Sequence, residues 1–416
     1  MSAAEPLIAL QQALQAQGGV QRLGVAVSGG GDSLAAMLLA VEALGAGRVA
    51  AVTVDHGLRA ESASEARFVA EICARLGVAH QVLNWGGAEA EGNLQDAARR
   101  ARFRLIGTWA AGRVEAVIVA HTLEDQAETL LMRLARGSGV DGLAAMATAR
   151  EHGGMLWLRP FLNTTREALR EVLQARGQEW IEDPSNEDRQ FQRVRVRQTL
   201  AALEPLGITA QGLAQTATRM QHARAALEAQ TQAALTEHVT EDRGTLLIDR
   251  AALTLAEEIR DRLFAHLLMA LSHAPYRPRL AALQRLVTEG GMLSGCVLSD
   301  EGAHLRLARE AQAVAGQVVP VGEIWDQRWT ATGPKTDNAQ IAATGTQGLA
   351  QLSAQAKSGL HPHWRDSGLS EATLRATPAI WQNQRLIAAP FAFYPQKWQL
   401  FARPIPLIGK VMAISH

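Results

Sequence analysis

Hydrophobic residues follow two alternating patterns along the first 180 residues. Short apolar runs predict buried strands. Each run precedes a longer stretch with apolar residues every three to four positions, which predicts an amphipathic helix. The predicted strands are residues 23–27, 49–55, 80–85, 114–120 and 155–161. The predicted helices are residues 33–44, 62–77, 93–111, 123–136 and 165–175. Strands separated by helices of this length predict an α/β fold with a doubly wound parallel sheet.

The pattern changes after residue 186, where helix predominates and function is harder to infer. The predicted elements are helix at residues 189–233, a strand at 245–249, further helix up to residue 271 and a hairpin at 296–310. Residues 332–358 are rich in Ala, Gly, Thr and Gln and predict a loop or linker. The tail, residues 380–414, predicts short strands.

The length of 416 residues predicts more than one domain, because a domain usually holds about 100–200 residues. The changes in pattern place the predicted domains at residues 1–205, 206–330 and 331–416. The first contains the parallel sheet, the second is mainly helical, and the third is small and mixed.

The composition is that of an ordinary globular chain, with 47% hydrophobic and 20% charged residues. No stretch approaches the run of about 18 apolar residues that a membrane span needs, so no membrane association is expected. Cys73 and Cys296 are the only cysteines, which excludes a disulfide framework and a cysteine-based zinc site. Both cysteines are predicted to lie in the core, and a reducing cytoplasm is the expected location.

The charges balance, with 41 Lys and Arg residues against 41 Asp and Glu residues. Composition alone therefore gives no electrostatic reason to expect nucleic-acid binding, which would need local clusters. The only lysines are Lys335, Lys357, Lys397 and Lys410. The first 334 residues therefore cannot contain a Walker A lysine, and any phosphate bound there needs other donors.

The clearest chemical signal is a glycine-rich hexapeptide at the first strand-to-helix junction. It consists of Ser28, Gly29, Gly30, Gly31, Asp32 and Ser33. Glycines let the chain turn tightly, and the main-chain N–H groups at the start of a helix bind anions. Two serine hydroxyls add donors, while a bare aspartate repels phosphate, so Asp32 is expected to act through Mg²⁺. The alternative is an ordinary turn in which Ser33 caps the helix.

The hexapeptide resembles the phosphate loop of the PP-loop ATP pyrophosphatases, which lack the Walker lysine. Further motifs follow in a fixed order. They are residues 54–59 (VDHGLR), 121–129 (HTLEDQAET), 136–139 (RGSG), 159–160 (RP) and 182–186 (EDPSN). In this order they resemble the family of bacterial tRNA(Ile)-lysidine synthetases. The resemblance covers about the first half of the chain.

The resemblance implies a definite reaction. The substrate is tRNA(Ile) with a CAU anticodon, whose first anticodon base is a cytidine. ATP adenylates the C2 oxygen of that base and pyrophosphate leaves. The ε-amine of free L-lysine then attacks C2 and expels AMP, and the resulting lysidine changes decoding from AUG to AUA. ATP and Mg²⁺ are the implied cofactors, and the second and third predicted domains are implied to bind tRNA.

Three residues near the fourth predicted strand fit the handling of an amine. Asp125 and Glu128 are three positions apart and share a helix face, and His121 lies one turn earlier. Carboxylates here can hold a lysine ammonium or a metal, and one can act as a base. The alternative is a solvated helix start, where acidic residues are common.

Residues and resemblance together give the candidate site. The catalytic candidates are Asp32, Asp125, Glu128 and Arg102. The nucleotide-binding candidates are Ser28, Gly29, Gly30, Gly31, Asp32, Ser33 and Asp55. The substrate-binding candidates are His121, Asp125, Glu128, Arg99 and Arg136, and the metal candidate is Asp32. Asp55 is equally well explained as a turn residue. Arg99 and Arg102 are expected to meet the triphosphate or the tRNA backbone.

Two positions depart from the family pattern. Glu124 stands where the family carries an aspartate, which moves that carboxylate by about 1.5 Å. Val194 replaces an asparagine between Arg193 and Arg195. The arginines at 193, 195 and 197 are expected either to meet tRNA phosphates or to pack on Glu182 and Asp183.

Other functions remain as alternatives. A PP-loop tRNA thiolase generally needs paired cysteines or an iron–sulfur centre, and this chain has only two distant cysteines. A glutamine-dependent amidotransferase would need an N-terminal cysteine or a glutaminase domain. A third alternative is a non-catalytic module that binds nucleotide or tRNA. Loss of Asp32 or of the acidic pair, Asp125 and Glu128, would favour it, and this chain keeps all three residues. The sequence does not fix the oligomeric state, and a homodimer is one candidate.

Overall fold

The computed structural model describes residues 4–57, 62–86, 94–182, 192–359 and 361–405. The chain divides into two units, Met1–Ala225 and Ala226–His416. The predicted division into three domains stays a prediction. Arg59 and the motif residues 183–186 lie outside the described residues.

The first unit alternates strands and helices as predicted. Its strands are β1 (Leu23–Ala26), β2 (Val49–Asp55), β3 (Ala79–Asn84), β4 (Ala116–Ile118), β5 (Ala149–His152) and β6 (Met155–Leu158). The helices that begin in this unit are α1 (Glu5–Gln15), α2 (Gly31–Leu44), α3 (Ser62–Leu76), α4 (Leu94–Ala110), α5 (Leu123–Leu134), α6 (Val140–Leu143), α7 (Arg166–Gln174), α8 (Gln192–Leu203) and α9 (Ala210–His238).

The six strands form one sheet in the order β3-β2-β1-β4-β6-β5. The first five strands in this order are mutually parallel, which confirms the predicted parallel sheet. The sixth strand, β5, pairs antiparallel with β6 and was not predicted. Its sequence is Ala-Arg-Glu-His, and its side chains are exposed or half-buried. A short polar edge strand carries no apolar run, so its sequence gave no strand signal.

Helices cover both faces of the sheet. Neighbouring residues along a strand point to opposite faces, so each strand contributes to two cores. On one face, Val25 and Ile118 share a core cluster with residues of α2 and α7. On the other face, Val52 and Val117 pack with Trp109 of α4. The carboxyl ends of β1 and β4 meet at one edge of this covered sheet, because the two strands are parallel neighbours.

The second unit contains a five-stranded antiparallel sheet. Its strands are β7 (Val239–Asp242), β8 (Thr245–Asp249), β9 (Gly291–Leu293), β10 (Cys296–Asp300) and β11 (His304–Arg309), in the order β7-β8-β11-β10-β9. The helices α10 (Glu257–Ser272) and α11 (Leu280–Glu289) pack on its core. The predicted hairpin is confirmed as the β10–β11 pair. Cys296 is buried here, as Cys73 is in the first unit.

The remaining residues of the second unit form short elements around two small cores. The strands are β12 (Val318–Pro320), β13 (Trp329–Thr332), β14 (Gln340–Ala343), β15 (Pro378–Gln382), β16 (Arg385–Ala388) and β17 (Gln399–Ala402). The helices are α12 (Ala311–Val314), α13 (Gly345–Lys357) and α14 (Glu371–Ala376). No helix in the described part of the chain is long and apolar enough to cross a membrane.

The predicted loop at residues 332–358 is wrong, since this segment contains β14 and α13. Leu349 and Leu352 of α13 are buried, in a cluster that includes Trp364 and Leu374. Ala, Leu and Gln have high helix propensity. The biased composition of this segment therefore led to a loop prediction, although Leu349 and Leu352, three positions apart, place one face of a helix in the core.

Candidate active site

The glycine-rich hexapeptide joins β1 to α2 at the carboxyl edge of the parallel sheet. The Val27 N–H donates to the Val52 carbonyl at 2.9 Å, and the Thr53 hydroxyl donates to the Val27 carbonyl at 2.9 Å. Gly29 has φ +88°, and a Cβ there would lie 2.9 Å from the Ile181 Cδ1 atom. Backbone conformation and close packing therefore both require glycine at this position.

The serines of the hexapeptide hold the loop in shape. The Ser33 hydroxyl donates to the Gly30 carbonyl at 2.9 Å and accepts from the Ser28 N–H at 3.1 Å. The Leu34 N–H takes the Gly30 carbonyl as its helical acceptor. The preceding N–H groups, at the start of α2, have no acceptor within the helix. The loop thus presents main-chain donors in an ordered arrangement suited to an anion.

A segment that sequence reasoning missed lies against this loop. The Ile181 N–H donates to the Gly29 carbonyl at 3.0 Å. A Cβ on Gly31 would lie 3.4 Å from Trp180 Cδ1. The apolar pair at 180–181 resembles many other core residues, so the sequence carried no signal for it.

The acidic pair is built into the start of α5. The Thr122 N–H and hydroxyl both donate to Asp125 Oδ2, at 2.9 and 3.0 Å. A carboxylate at this position satisfies a helix-start donor that would otherwise lack a partner. Glu128 lies one turn further and is 1% exposed. The structure therefore brings both carboxylates to the end of β4, beside the end of β1.

Arg166, at the start of α7, links the two parts of the site. Its Nη2 atom lies 2.9 Å from Asp125 Oδ1 and 3.7 Å from Glu128 Oε1, and its Nε atom lies 3.5 Å from Asp32 Oδ2. Its backbone N–H donates to the Glu124 carboxylate at 3.1 and 3.2 Å. Sequence reasoning missed this residue. One available signal was a cation in the first turn of a predicted helix, where the helix dipole disfavours positive charge.

Two more arginines reach the acidic pair. Arg197 Nε donates to Glu128 Oε1 at 3.0 Å, and Arg193 Nη1 lies 3.8 Å from Asp125 Oδ1. The sequence predicted neither of these two contacts. Contact of these arginines with tRNA phosphates stays a prediction, and Asp183 lies outside the described residues. The Glu128 Oε2 atom is buried and has no hydrogen-bond partner among the described residues. Among the described residues, Oε2 therefore remains able to accept a hydrogen bond from a ligand.

The pKa values of the three carboxyl groups are separated by their surroundings. Burial raises the pKa of Asp32 to about 6, against the opposing charge of Arg166. Burial also raises the pKa of Glu128, and neighbouring Asp125 adds to the effect. Burial acts the same way on Asp125, but the charge of Arg166 and the Thr122 N–H outweigh it and lower its pKa to about 2. Asp125 therefore remains ionised, whereas the protonation of Asp32 and Glu128 can change with their surroundings.

His121 lies buried just before α5. Its Nδ1 atom has no hydrogen-bond partner among the described residues. Burial holds the pKa of its imidazole well below the usual range, with Asp125 opposing the shift and Arg159 and Arg102 adding to it. The ring is therefore neutral near pH 7.

A cluster of arginines lies along α4 and near its neighbours. The guanidinium groups of Arg99 and Arg102 each lie 5.6 Å from the centre of the Phe103 ring. Burial, together with the nearby charges of Arg99 and Arg193, lowers the pKa of Arg102 to about 10. No carboxylate of the described residues pairs with Arg102. Arg136 lies beyond the opposite end of α5 from the acidic pair and is exposed.

Asp55 ends β2 and accepts a hydrogen bond from the Gly57 N–H at 2.8 Å. This bond lowers the pKa of Asp55, and the Ser62 side chain contributes to the shift. This contact is the one expected of a turn residue, which was one of the two interpretations of Asp55 from the sequence. Binding of nucleotide by Asp55 stays a prediction.

Comparisons with known proteins give a consistent result. The sequence pattern of the PP-loop domain family matches residues 6–204. A tRNA(Ile)-lysidine synthase from Ruegeria pomeroyi is 45% identical over 387 residues, which cover 91% of this chain and 90% of the relative. Enzymes of the same name from Methylobacterium nodulans (38% identity, 70% of this chain and 91% of the relative) and Wolbachia pipientis (32% identity, 90% of both) also match. The similarity to the first and last of these relatives extends into the second unit.

Proposed function

The chain belongs to the tRNA(Ile)-lysidine synthase family, and we propose that it joins L-lysine to C2 of the first anticodon cytidine in tRNA(Ile) with a CAU anticodon. Its enzyme class and its use of ATP follow from the family. One observation supports the residue assignments below. A phosphate-type loop and an acidic pair lie at neighbouring strand ends, joined by Arg166.

The first half of the reaction belongs to the hexapeptide. We infer that its main-chain N–H groups hold the ATP phosphates, while the C2 oxygen of the cytidine attacks the α-phosphorus and pyrophosphate leaves. The first-turn N–H groups of α2 face the growing negative charge, and donors positioned in advance are the usual source of such stabilisation. Ser33 orders the loop through its contacts with Ser28 and Gly30.

Asp32 is the residue that would hold Mg²⁺. No group of three or more His, Cys, Asp or Glu side chains in the described residues forms a metal cage. A magnesium ion that arrives with ATP does not need one, since it commonly uses one or two carboxylates plus phosphates and water. The half-buried Asp32 carboxylate at the loop fits this need. When bound, Mg²⁺ would neutralise phosphate charge.

The second half of the reaction belongs to the acidic pair. Asp125 stays ionised and supplies negative charge for the lysine ammonium. The Oε2 atom of Glu128, which has no hydrogen-bond partner in the part of the chain that the structure describes, supplies an acceptor for the ammonium. Because the pKa of Glu128 is raised, it is a suitable base for the ε-ammonium proton. The neutral amine then forms a bond to C2, the C2–oxygen bond breaks, and AMP leaves with that oxygen.

Arg102 is proposed to contact the tRNA backbone beside the reacting base. The arginines that act on Asp32 are Arg166 and Arg170, whereas those that act on Arg102 are Arg99 and Arg193. Arg102 thus belongs to a basic group on α4 and α8, and its charge also acts on His121 at the start of α5. A half-buried guanidinium that pairs with no carboxylate among the described residues is suited to a phosphate ligand.

The remaining assignments are proposals that follow the family. Residues 206–330 and 331–416 would bind and recognise the tRNA. The chain has no net charge, so recognition would rest on local basic groups and shape. Location in the cytoplasm and assembly as a homodimer remain predictions, and light scattering after gel filtration tests the second.

The decisive experiment is mass spectrometry of tRNA nucleosides after incubation with ATP and L-lysine. We expect one cytidine of tRNA(Ile) to gain the mass of lysine minus water, and only when ATP and lysine are both present. A tRNA with another anticodon is the matched control. A gain of sulfur would favour the thiolase alternative, and an unchanged nucleoside pool would favour a non-catalytic binding module.

A further inference from the structure

Arg166 is shared between the two halves of the proposed site. Its Nε atom faces Asp32 on α2, and its Nη2 atom faces Asp125 and Glu128 on α5. The guanidinium therefore bridges the phosphate loop and the acidic pair. Two different nitrogens make the two sets of contacts.

The Asp125 contact competes with the entry of a second cation. Asp125 Oδ2 accepts two hydrogen bonds from Thr122, and Oδ1 faces Arg166. A lysine ammonium that approaches this carboxylate therefore meets Arg166 at Oδ1. Two cations close together repel each other, especially where burial weakens solvent screening. Either the ammonium stays out or the guanidinium moves.

Glu124 allows the guanidinium to move without disturbing the helix. The Glu124 carboxylate binds the backbone N–H of Arg166, so the start of α7 is held independently of the Arg166 side chain. The side chain is 22% exposed, and besides Asp125 and Glu128 it faces Asp32, at the loop. With ATP and Mg²⁺ bound, a displaced guanidinium can therefore lie against the ATP phosphates at the loop, while Asp32 would hold the metal.

We propose that Arg166 couples the binding of ATP and L-lysine. A lysine ammonium at Asp125 repels the guanidinium towards the loop, and ATP phosphates at the loop attract it to the same side. The proposal rests on the proposed function and makes Arg166 a positioning residue. ATP attracts the guanidinium and vacates Asp125 Oδ1 for lysine. Coupling in equilibrium binding is reciprocal, so lysine strengthens ATP binding by the same factor.

The test is calorimetric titration of the full chain with L-lysine, with and without α,β-methylene-ATP and Mg²⁺. In the wild-type protein we expect the nucleotide analogue to lower the lysine Kd by about fivefold or more. R166K keeps the positive charge but has one nitrogen, which cannot serve both sets of contacts. We expect the ratio of the two Kd values to fall to about one in R166K and R166Q.

R176Q is the matched control, since Arg176 follows the end of α7 and pairs at the surface with Glu42. It should keep the wild-type ratio. Three results would overturn the inference. They are a wild-type lysine Kd that is the same with and without the analogue, no lysine binding in either condition, and wild-type coupling in R166K. Circular dichroism checks that each variant is folded. If R166Q is unfolded, the result for R166K decides the test.

Failure of this inference is distinguishable from failure of the proposed function. If the wild-type protein adds lysine to tRNA(Ile) while R166K keeps the coupling, only the role of Arg166 is wrong. If the wild-type protein adds no lysine to any tRNA, the proposed function itself is wrong.

Discussion

Asp125 and Arg166 lie 41 positions apart in the chain, yet Asp125 Oδ1 and Arg166 Nη2 are 2.9 Å apart. The same carboxylate receives two hydrogen bonds from Thr122 at the start of α5. Asp125 therefore caps the start of α5 and also binds Arg166, the first residue of α7. The precise placement of the acidic pair depends on this contact between elements that follow β4 and β6.

Replacing Asp32 with alanine is expected to abolish adenylation. The carboxylate is the proposed ligand of Mg²⁺ at the phosphate loop, and the loop offers only neutral donors in its place. Pyrophosphate release from ATP in the presence of tRNA(Ile) measures the effect. Normal pyrophosphate release by D32A would remove Asp32 from its assigned role.

Replacing Asp32 with asparagine is expected to stabilise the folded protein at neutral pH. The folded-state pKa of Asp32, about 6, lies above the ordinary aspartate value of 3.8. Wild-type stability therefore falls as pH rises from about 4 to about 6, because the folded state resists ionisation. A shift of this size corresponds to about 2–3 kcal/mol. Urea unfolding at pH 4 and pH 7 should show a D32N gain only at the higher pH.

Glu128→Gln is expected to raise the lysine KM by about tenfold or more, because it removes a charged hydrogen-bond acceptor. The wild-type rate should also fall as pH drops through the raised pKa of Glu128, since the base must be ionised. Steady-state lysine titrations across pH measure both effects. Glu167→Gln, at an exposed position of α7, is the control. An unaltered lysine KM in E128Q would exclude Glu128 from the amine site.

The parts of this site that could be predicted from sequence are local ones. The hexapeptide, the acidic pair and His121 each lie within a few residues of a predicted strand end, so one strand-to-helix pattern was enough to find them. Parallel strands then place these ends at one edge of the sheet. The same logic predicted the order of strands and helices along the first unit.

The parts that could not be predicted depend on contacts between distant segments. Arg166, Arg197 and the pair at 180–181 reach the site only after α7 packs on α2 and α8 packs on α5. Arg166 has one weak local signal, a cation in the first turn of a predicted helix. Arg197 lies in a local arginine pattern, but that pattern does not point to Glu128 as its partner. Glu124 was noticed as a departure from the family pattern, but its binding to the Arg166 N–H across 42 positions required the fold.

Arg102→Gln is expected to weaken tRNA binding and to reduce its dependence on salt. Each phosphate neutralised by the protein adds about 0.7–0.9 to the slope of log affinity against log salt concentration. Loss of one contact should lower the slope by about one unit. Filter binding between low and moderate salt measures it, with Arg100→Gln as the control, since Arg100 is an exposed arginine of the same helix. An equal slope in wild type and R102Q would contradict the phosphate contact.

Asp125→Asn is expected to destabilise the protein as well as impair lysine use. The folded-state pKa of Asp125, about 2, lies below the ordinary aspartate value of 3.8. Its stabilising contribution is therefore complete above about pH 4 and disappears as pH falls towards 2, because the unfolded chain takes up the proton first. The shift corresponds to about 2 kcal/mol. Asparagine keeps the shape but cannot accept from both Thr122 and Arg166. Urea unfolding followed by circular dichroism should show the full loss at pH 7 and a smaller one at pH 3. Equal stability of D125N and wild type at pH 7 would mean that Asp125 does not hold the two helix starts together.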